Sequence, residues 1–281
     1  MKGKKLSKKI IFVIVAAAII GTILVTCLGL EIAFIAADNI ECWHPDYDKE
    51  DISGILDKGT LTDGDYEILY AQTGLTRIGI DRMLERGING RNRILQIQDD
   101  FFSENEVQNG PFGPFMCMDY INRNITNVYL EDGDIIITSS THFTGWRVGH
   151  AGLVTDGMRG SILQADAVGS LSRLGSIRDF NNRVNFIVLS PKVDEEVKAD
   201  VCEYAEENLL GKVYDFTAGV FSKKDSMSKT QCAHIVWYAY KQFGIDLDYD
   251  GGLVVTPRNI AKSPLVEVVQ VFGLDPTTLW N

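Results

Sequence analysis

Apolar positions fall into three textures along the chain. Residues 10–30 form an uncharged run of Ile, Val, Ala and Leu. As a helix, such a run spans about 30 Å, the thickness of a bilayer's hydrocarbon core. Between 62 and 102 the apolar positions recur at helical spacing. Thr62 suits the N-cap of a helix over 63–72, and Gly74 suits its stop. A second helix is expected over 76–86, closed by Gly87. A third is expected over 91–102, with Ile94, Leu95, Ile97 and Phe101 on its apolar side. The stretch Asn109-Gly110-Pro111-Phe112-Gly113-Pro114 reads as a break. Beyond it come short apolar runs typical of strands, over 134–138, 148–155, 161–165 and 184–189. A helix follows over 194–210, where Val197, Val201, Ala205 and Leu209 recur every four residues. Asp194 can cap it, Glu195 and Glu196 suit its positive end, and Gly211 ends it. A last helix is predicted over 231–243 and a last strand over 265–271. Strands and helices in separate runs predict an α+β fold. Residues 38–60, acidic and irregular, read as a tether, and no internal repeat is present.

Charge sharpens the picture at the N-terminus. Lys2, Lys4, Lys5, Lys8 and Lys9 crowd one end of the apolar run, while residues 38–281 hold 22 basic against 37 acidic residues, a formal −15. The lysine flank follows the positive-inside pattern, so the body is expected outside the cytoplasm. A cleavable signal carries a shorter apolar core of about 7–15 residues. The reading is therefore an uncleaved single-pass anchor over 1–37, with secretion as the outcome if the chain is cut near Ala36-Ala37. Leu24-Val25-Thr26-Cys27 has only a faint likeness to a lipidation signal. With no basic face beyond the anchor, nucleic acid is excluded as the main partner. At 45% hydrophobic and 23% charged residues, the whole sequence has an ordinary globular composition rather than a disordered one.

Five cysteines, Cys27, Cys42, Cys117, Cys202 and Cys232, show no CxxC pair, which argues against a zinc ribbon or redox motif. Disulfides are allowed outside the cytoplasm. If one thiol stays free for chemistry, three remain outside the anchor and cannot all pair internally. Cys232 opens a predicted helix, whose dipole favours a thiolate and is expected to lower its pKa. It also shares a stripe with Ile235, Val236, Ala239 and Phe243, so it reads equally as a small core residue. His150 sits in Gly149-His150-Ala151-Gly152, where small neighbours leave the ring room and let another backbone approach. A Cys at a helix start needs a base, and a strand His is the usual partner. The base in turn needs an orienting acceptor. The following strand offers Gln164, with Asp166 just beyond as turn chemistry or added charge.

With these residues assembled, the block 132–271 resembles the NlpC-type, papain-like cell-wall hydrolases in their circularly permuted, YiiX/YycO-like branch. Gly133-Asp134-Ile135-Ile136 is similar to that branch's opening strand. Val148-Gly149-His150-Ala151-Gly152-Leu153-Val154 is similar to its histidine strand. Gln231-Cys232-Ala233-His234-Ile235-Val236-Trp237-Tyr238-Ala239-Tyr240 is similar to its nucleophile helix. Leu247-Asp248-Tyr249-Asp250-Gly251-Gly252 and Thr256-Pro257-Arg258-Asn259-Ile260 are similar to its tail. His150 precedes Cys232, the permuted order. The likeness covers about half the chain. It implies a permuted papain-like domain over 113–281, an antiparallel sheet with packed helices. The tether and small helical region over 38–112 have no counterpart in it. It further implies Cys232 as nucleophile, His150 as base and Gln164 as orienting residue, where many relatives carry an acid. Gly211-Lys212-Val213-Tyr214-Asp215-Phe216 also resembles a family segment, in which Tyr214 lines the substrate pocket. The implied reaction is hydrolysis of an amide bond in a cell-wall stem peptide, without cofactor. Permuted relatives also include acyltransferases and lipases working on lipid esters.

Three other histidines compete for the base. His234, two residues from Cys232 on one helix, points away from it. His142 lies in the polar stretch 139–145, expected to be an exposed loop. His44 is expected to be solvated near the anchor. A zinc site of His142, His150 and Cys232 lacks any tight spacing motif, so no metal is expected. A non-catalytic surface module remains the other reading, with Tyr66, Tyr70, Phe101 and Phe102 as its partner surface.

Overall fold

A computed structural model describes residues 7–37, 41–113, 116–143 and 146–279. The chain begins with α1 (Lys8–Ala37). Its segment Lys8–Ile32 is long and apolar enough to cross a membrane, with mean hydropathy 2.9 and none of its most apolar window buried in the protein. Lys2, Lys4 and Lys5 lie outside the described residues, as do the side chains of Ala36 and Ala37.

Four helices come next: α2 (Ser53–Leu56), α3 (Asp63–Thr73), α4 (Arg77–Leu84) and α5 (Ile88–Phe101). Thr62 caps α3 as expected. Its hydroxyl accepts from the Asp65 amide, while the Asp65 carboxylate accepts from the Thr62 amide, a reciprocal capping box. Gly74 ends the helix at φ 69°, where a Cβ would stand 2.3 Å from the Val271 carbonyl oxygen. Only glycine fits both that angle and that approach.

The strands and later helices follow in chain order: β1 (Val107–Gly113), β2 (Met116–Ile121), β3 (Ile135–Thr138), β4 (Thr141–Phe143), β5 (Trp146–Arg147), β6 (His150–Asp156), β7 (Ser161–Gln164), β8 (Arg173–Ser176) and β9 (Phe186–Pro191). They continue with α6 (Glu195–Asn208), β10 (Val213–Tyr214), β11 (Lys229–Thr230), α7 (Cys232–Lys241), α8 (Pro257–Ala261) and β12 (Val266–Phe272). The fold is a mixed α+β one.

Its centre is a six-stranded sheet of order β12-β9-β3-β6-β7-β8, antiparallel throughout. Alternate residues of a strand face opposite ways. Ile135 and Ile137 of β3, with Ile187 and Leu189 of β9, join a core formed with α6 and α7. Ile136, Phe186 and Val188 join a second core with Ile80, Met83, Ile94 and Ile97 of α4 and α5. Burial on both faces explains why β3 is an unbroken apolar run rather than an alternating one. Each such side chain contributes about 1.5–3 kcal/mol through burial.

Three local expectations are corrected. Residues 41–60 do not hang as a tether: Cys42, Ile52 and Leu56 are buried in the second core, and Gln98 donates to the Glu50 carbonyl at 2.8 Å. Residues 38–40 lie outside the described set. The expected break at 109–113 is strand β1, the edge of a four-stranded sheet of order β1-β2-β4-β5. Pro111 sits there beside a register shift, on an edge where its missing N–H costs no ladder bond. Pro114 is outside the described residues. The third correction concerns 139–143: His142 lies on β4 and is 1% exposed, not on a solvated loop. His44, expected to be solvated, is part-buried.

Candidate active site

The site forms where α7 begins against the strand that carries the histidine. β10 and β11 pair in parallel, Tyr214 opposite Thr230, and deliver the chain to the helix start. Gln231 is the N-cap. Its side-chain oxygen accepts from the Ala233 amide at 2.9 Å, and its Nε2 donates to the Val255 carbonyl. One residue thereby fixes the helix start to the segment before α8. His234 is held inside the same corner. Its Nδ1 is 2.9 Å from the Thr230 hydroxyl, and its Nε2 donates to the Lys224 carbonyl at 2.7 Å. Both ring nitrogens are engaged, consistent with a structural rather than a basic role. α7 is apolar on nearly every side. Of the expected stripe only Phe243, beyond the helix end, is exposed.

Cys232 is 7% exposed. Its thiol donates to Gln231 Oε1 at 3.4 Å, and the Ala151 amide lies against the sulfur. Ala151 directly follows His150, so the helix start meets the histidine strand through backbone. Gly149, just before His150, is required on the other side, where the strand comes close to β3. It sits at φ 69°, and a Cβ there would meet the Thr138 carbonyl oxygen at 2.7 Å. The expected fall in the Cys232 pKa does not hold. Burial pushes the thiol up to about 11, although the amides of Ala151, Ala233 and Cys232 favour the thiolate. Helix-end electrostatics are worth about 1 kcal/mol or less at most sites, and desolvation outweighs them.

His150 opens β6 opposite Thr138 and is 1% exposed. Its ring stacks on Phe180, centroids 5.5 Å apart at 19°. Its Nε2 lies 2.9 Å from Gln164 Oε1. Gln164 in turn donates from Nε2 to Asp179 Oδ2 at 2.5 Å. That second bond decides the amide orientation: a carboxylate takes the NH2 end, so the carbonyl end faces the imidazole. A carbonyl facing Nε2 requires the Nε2–H tautomer, which leaves the lone pair on Nδ1. Asp166 Oδ1 is buried without a hydrogen bond, 3.7 Å from His150 Nε2, while Arg173 holds the other oxygen at 2.6 Å. Burial, with the nearby Arg183 charge, depresses His150 to about 4, against the pull of Asp166, Gln164 and Asp179. At neutral pH both Cys232 and His150 are uncharged.

A cavity of about 450 Å³ opens onto Cys232. Its walls include Tyr214, Phe216, Val220, Val255 and Pro257. Phe216 stacks on Phe143 at 4.6 Å. Trp146, Phe221 and Leu253, each adjacent in sequence to a lining residue, are 71%, 85% and 70% exposed.

The structure thus sets Cys232, His150 and Gln164 in adjoining elements and puts Tyr214 on the cavity wall. His142 stands apart, on the small sheet with Glu31 and Cys117. The cysteines among the described residues are free thiols. Sequence reading missed Asp179 and Arg183. The Ser176-x-x-Asp179 spacing signals a cap, which forms, but nothing local says that this carboxylate also holds Gln164. Comparison with known protein families, with curated proteins and with solved structures finds no match for the chain.

Proposed function

We propose that this chain is a membrane-anchored cysteine hydrolase, with Cys232 as nucleophile and His150 as base. The observation that carries the reading is the ordered relay Asp179–Gln164–His150. It commits the imidazole lone pair to Nδ1, on a strand packed against the helix whose first residue, Cys232, opens into a cavity. The resting pair is neutral, so the thiolate forms as the substrate carbonyl enters. The Cys232 proton passes to His150 Nδ1 while sulfur bonds to the carbonyl carbon. Gln164 Oε1 and the Asp166 carboxylate then face the imidazolium. The oxyanion takes hydrogen bonds from backbone amides at the helix start, Cys232 first. The Ala233 amide is committed to Gln231 and does not contribute. Collapse of the tetrahedral adduct breaks the bond to the leaving amine or alcohol, which takes the proton from His150. Water then attacks the thioester, gives a proton to His150, and Cys232 is restored as the thiol. The positive-inside flank supports placing this chemistry outside the cytoplasm, and the resemblance of the block 132–271 supports a permuted papain-like arrangement of the domain.

The resemblance points to a wall stem peptide as substrate. The cavity favours a second reading, a lipid ester or thioester. Its walls are largely aromatic and aliphatic, with Arg147 and Arg258 among them, exposed apolar side chains adjoin the lining residues in sequence, and the N-terminal helix is long and apolar enough to cross a membrane. The test is turnover by full-length protein in detergent, offered muropeptides, phospholipids and acyl thioesters in parallel. Cys232→Ala and His150→Ala should each abolish turnover of whichever substrate reacts. Turnover unchanged in both variants would sink the reading and favour a non-catalytic surface module.

A further inference from the structure

Near its C-terminal end the apolar helix meets the small sheet through Glu31. Glu31 follows the apolar run directly, yet it is 6% exposed. Its Oε1 lies 2.8 Å from His142 Nδ1 on β4, and its carboxylate accepts from the Cys117 thiol on β2. Ligand atoms of Glu31, Cys117 and His142 all lie within 4.8 Å of one another. The second nitrogen of His142 faces Asp119 Oδ1 at 3.5 Å, and Asp119 Oδ2 accepts from Arg147 at 2.6 Å.

We propose that Glu31, Cys117 and His142 form a divalent transition-metal site, suited to Zn²⁺, that clamps the membrane helix to the small sheet. The donor set is one sulfur, one imidazole nitrogen and one carboxylate oxygen, all regular zinc ligands. Tetrahedral zinc with bonds of about 2.0–2.3 Å holds such atoms roughly 3.3–3.8 Å apart. The cluster therefore closes on the ion by side-chain rotations of about 1 Å. Asp119 stands where a carboxylate orients a metal-bound histidine through its other ring nitrogen. Charge agrees as well: the carboxylates of Glu31 and Asp119 are both buried at this cluster, and Arg147 pairs with Asp119. A cation at this point balances them. In the metal-free cluster, protons take its place. Binding releases the Cys117 thiol proton and any proton on His142 Nδ1, and the three donors turn from one another to the ion.

The position gives the clamp a consequence. β4 pairs with β5, whose Arg147 lines the cavity at Cys232, and Phe143 of β4 stacks on the cavity residue Phe216. A metal here fixes how the anchor stands relative to the mouth of that cavity. The site itself is independent of any role for Cys232.

The test uses the full chain in detergent micelles, stripped with chelator and then titrated with Zn²⁺ or Co²⁺. The expected result is one ion per chain and a thiolate-to-cobalt charge-transfer band. That band should persist in Cys232→Ala and vanish in Cys117→Ser. Glu31→Gln and His142→Gln should weaken binding still more than Asp119→Asn, for which about 10–100-fold is expected from its supporting position. A band that survives Cys117→Ser, or no ion retained by wild type, overturns the proposal. Should the variants misfold, the wild type alone decides. Zn²⁺ must slow alkylation of Cys117, mapped by peptide mass, while leaving Cys232 unaffected; equal rates with and without Zn²⁺ overturn it.

Discussion

The reactivity of Cys232 in the free protein separates burial from helix-end electrostatics. Burial places the thiol at about 11, against 9.0 for an ordinary cysteine. Two pH units make its thiolate about 100-fold scarcer at neutral pH. A more basic thiolate is also a better nucleophile, with a Brønsted slope of about 0.4–0.5, which returns a factor of roughly eight. The net expectation is alkylation about tenfold slower than for the unfolded chain at pH 7, before any effect of access. The assay is iodoacetamide modification from pH 6 to 11, read at Cys232 by peptide mass, with urea-unfolded protein as reference. The rate should inflect above pH 9 in wild type and in His150→Gln alike, because a neutral His150 does not hold the thiol proton at rest. Substrate turnover should vanish in the same variant. A wild-type inflection below pH 7 that disappears in His150→Gln would mean a resting thiolate–imidazolium pair and would refute the argument from desolvation.

Three further outcomes follow from the relay. Asp179→Ala frees the Gln164 amide to turn its NH2 toward His150, which moves the lone pair to the wrong nitrogen; kcat should fall about 100-fold with KM little changed, and Asp179→Asn should recover part of it. Gly175→Ala puts a Cβ 2.0 Å from Gln164 Nε2 and 2.3 Å from Asp179 Oδ2, so the pair must part; kcat should drop while Tm falls by only a few degrees. The depressed pKa of His150 sets an acid limit. Its ordinary value of 6.5 and folded value of about 4 mean that the unfolded chain takes the proton first as pH falls. Stability is therefore complete above about 6.5 and is lost as pH falls to about 4, by about 3 kcal/mol in total. Urea unfolding at pH 7 and pH 4.5 should show that loss in wild type and a much smaller one in His150→Gln.

Local rules carried the sequence a long way. Thr62 and Gly74 bound α3 because caps and left-handed stops act within a few residues. The strands at 134–138 and 184–189 are legible because a sheet covered on both faces leaves an apolar run with no polar alternation. The apolar helix at the N-terminus follows from composition alone. The small sheet was hidden because β1 is a half-exposed edge that tolerates Pro111 and Gly113, the residues that otherwise signal a break. Cys232, His150 and Gln164 could be named from residue types and order. Their state could not: a helix start argues for a thiolate, and only packing shows that burial reverses the sign. The same holds for the carboxylates. Asp179 acts through Gln164 from a turn, and Glu31 meets His142 across 111 positions of chain. The sequence by itself determined the long apolar N-terminal helix, most of the regular elements and the candidate nucleophile and base, because each rests on neighbours in the chain. The tertiary structure decided protonation, the imidazole tautomer and the meeting of Glu31 with His142, because desolvation and hydrogen-bond partners depend on distant residues that the fold brings into contact.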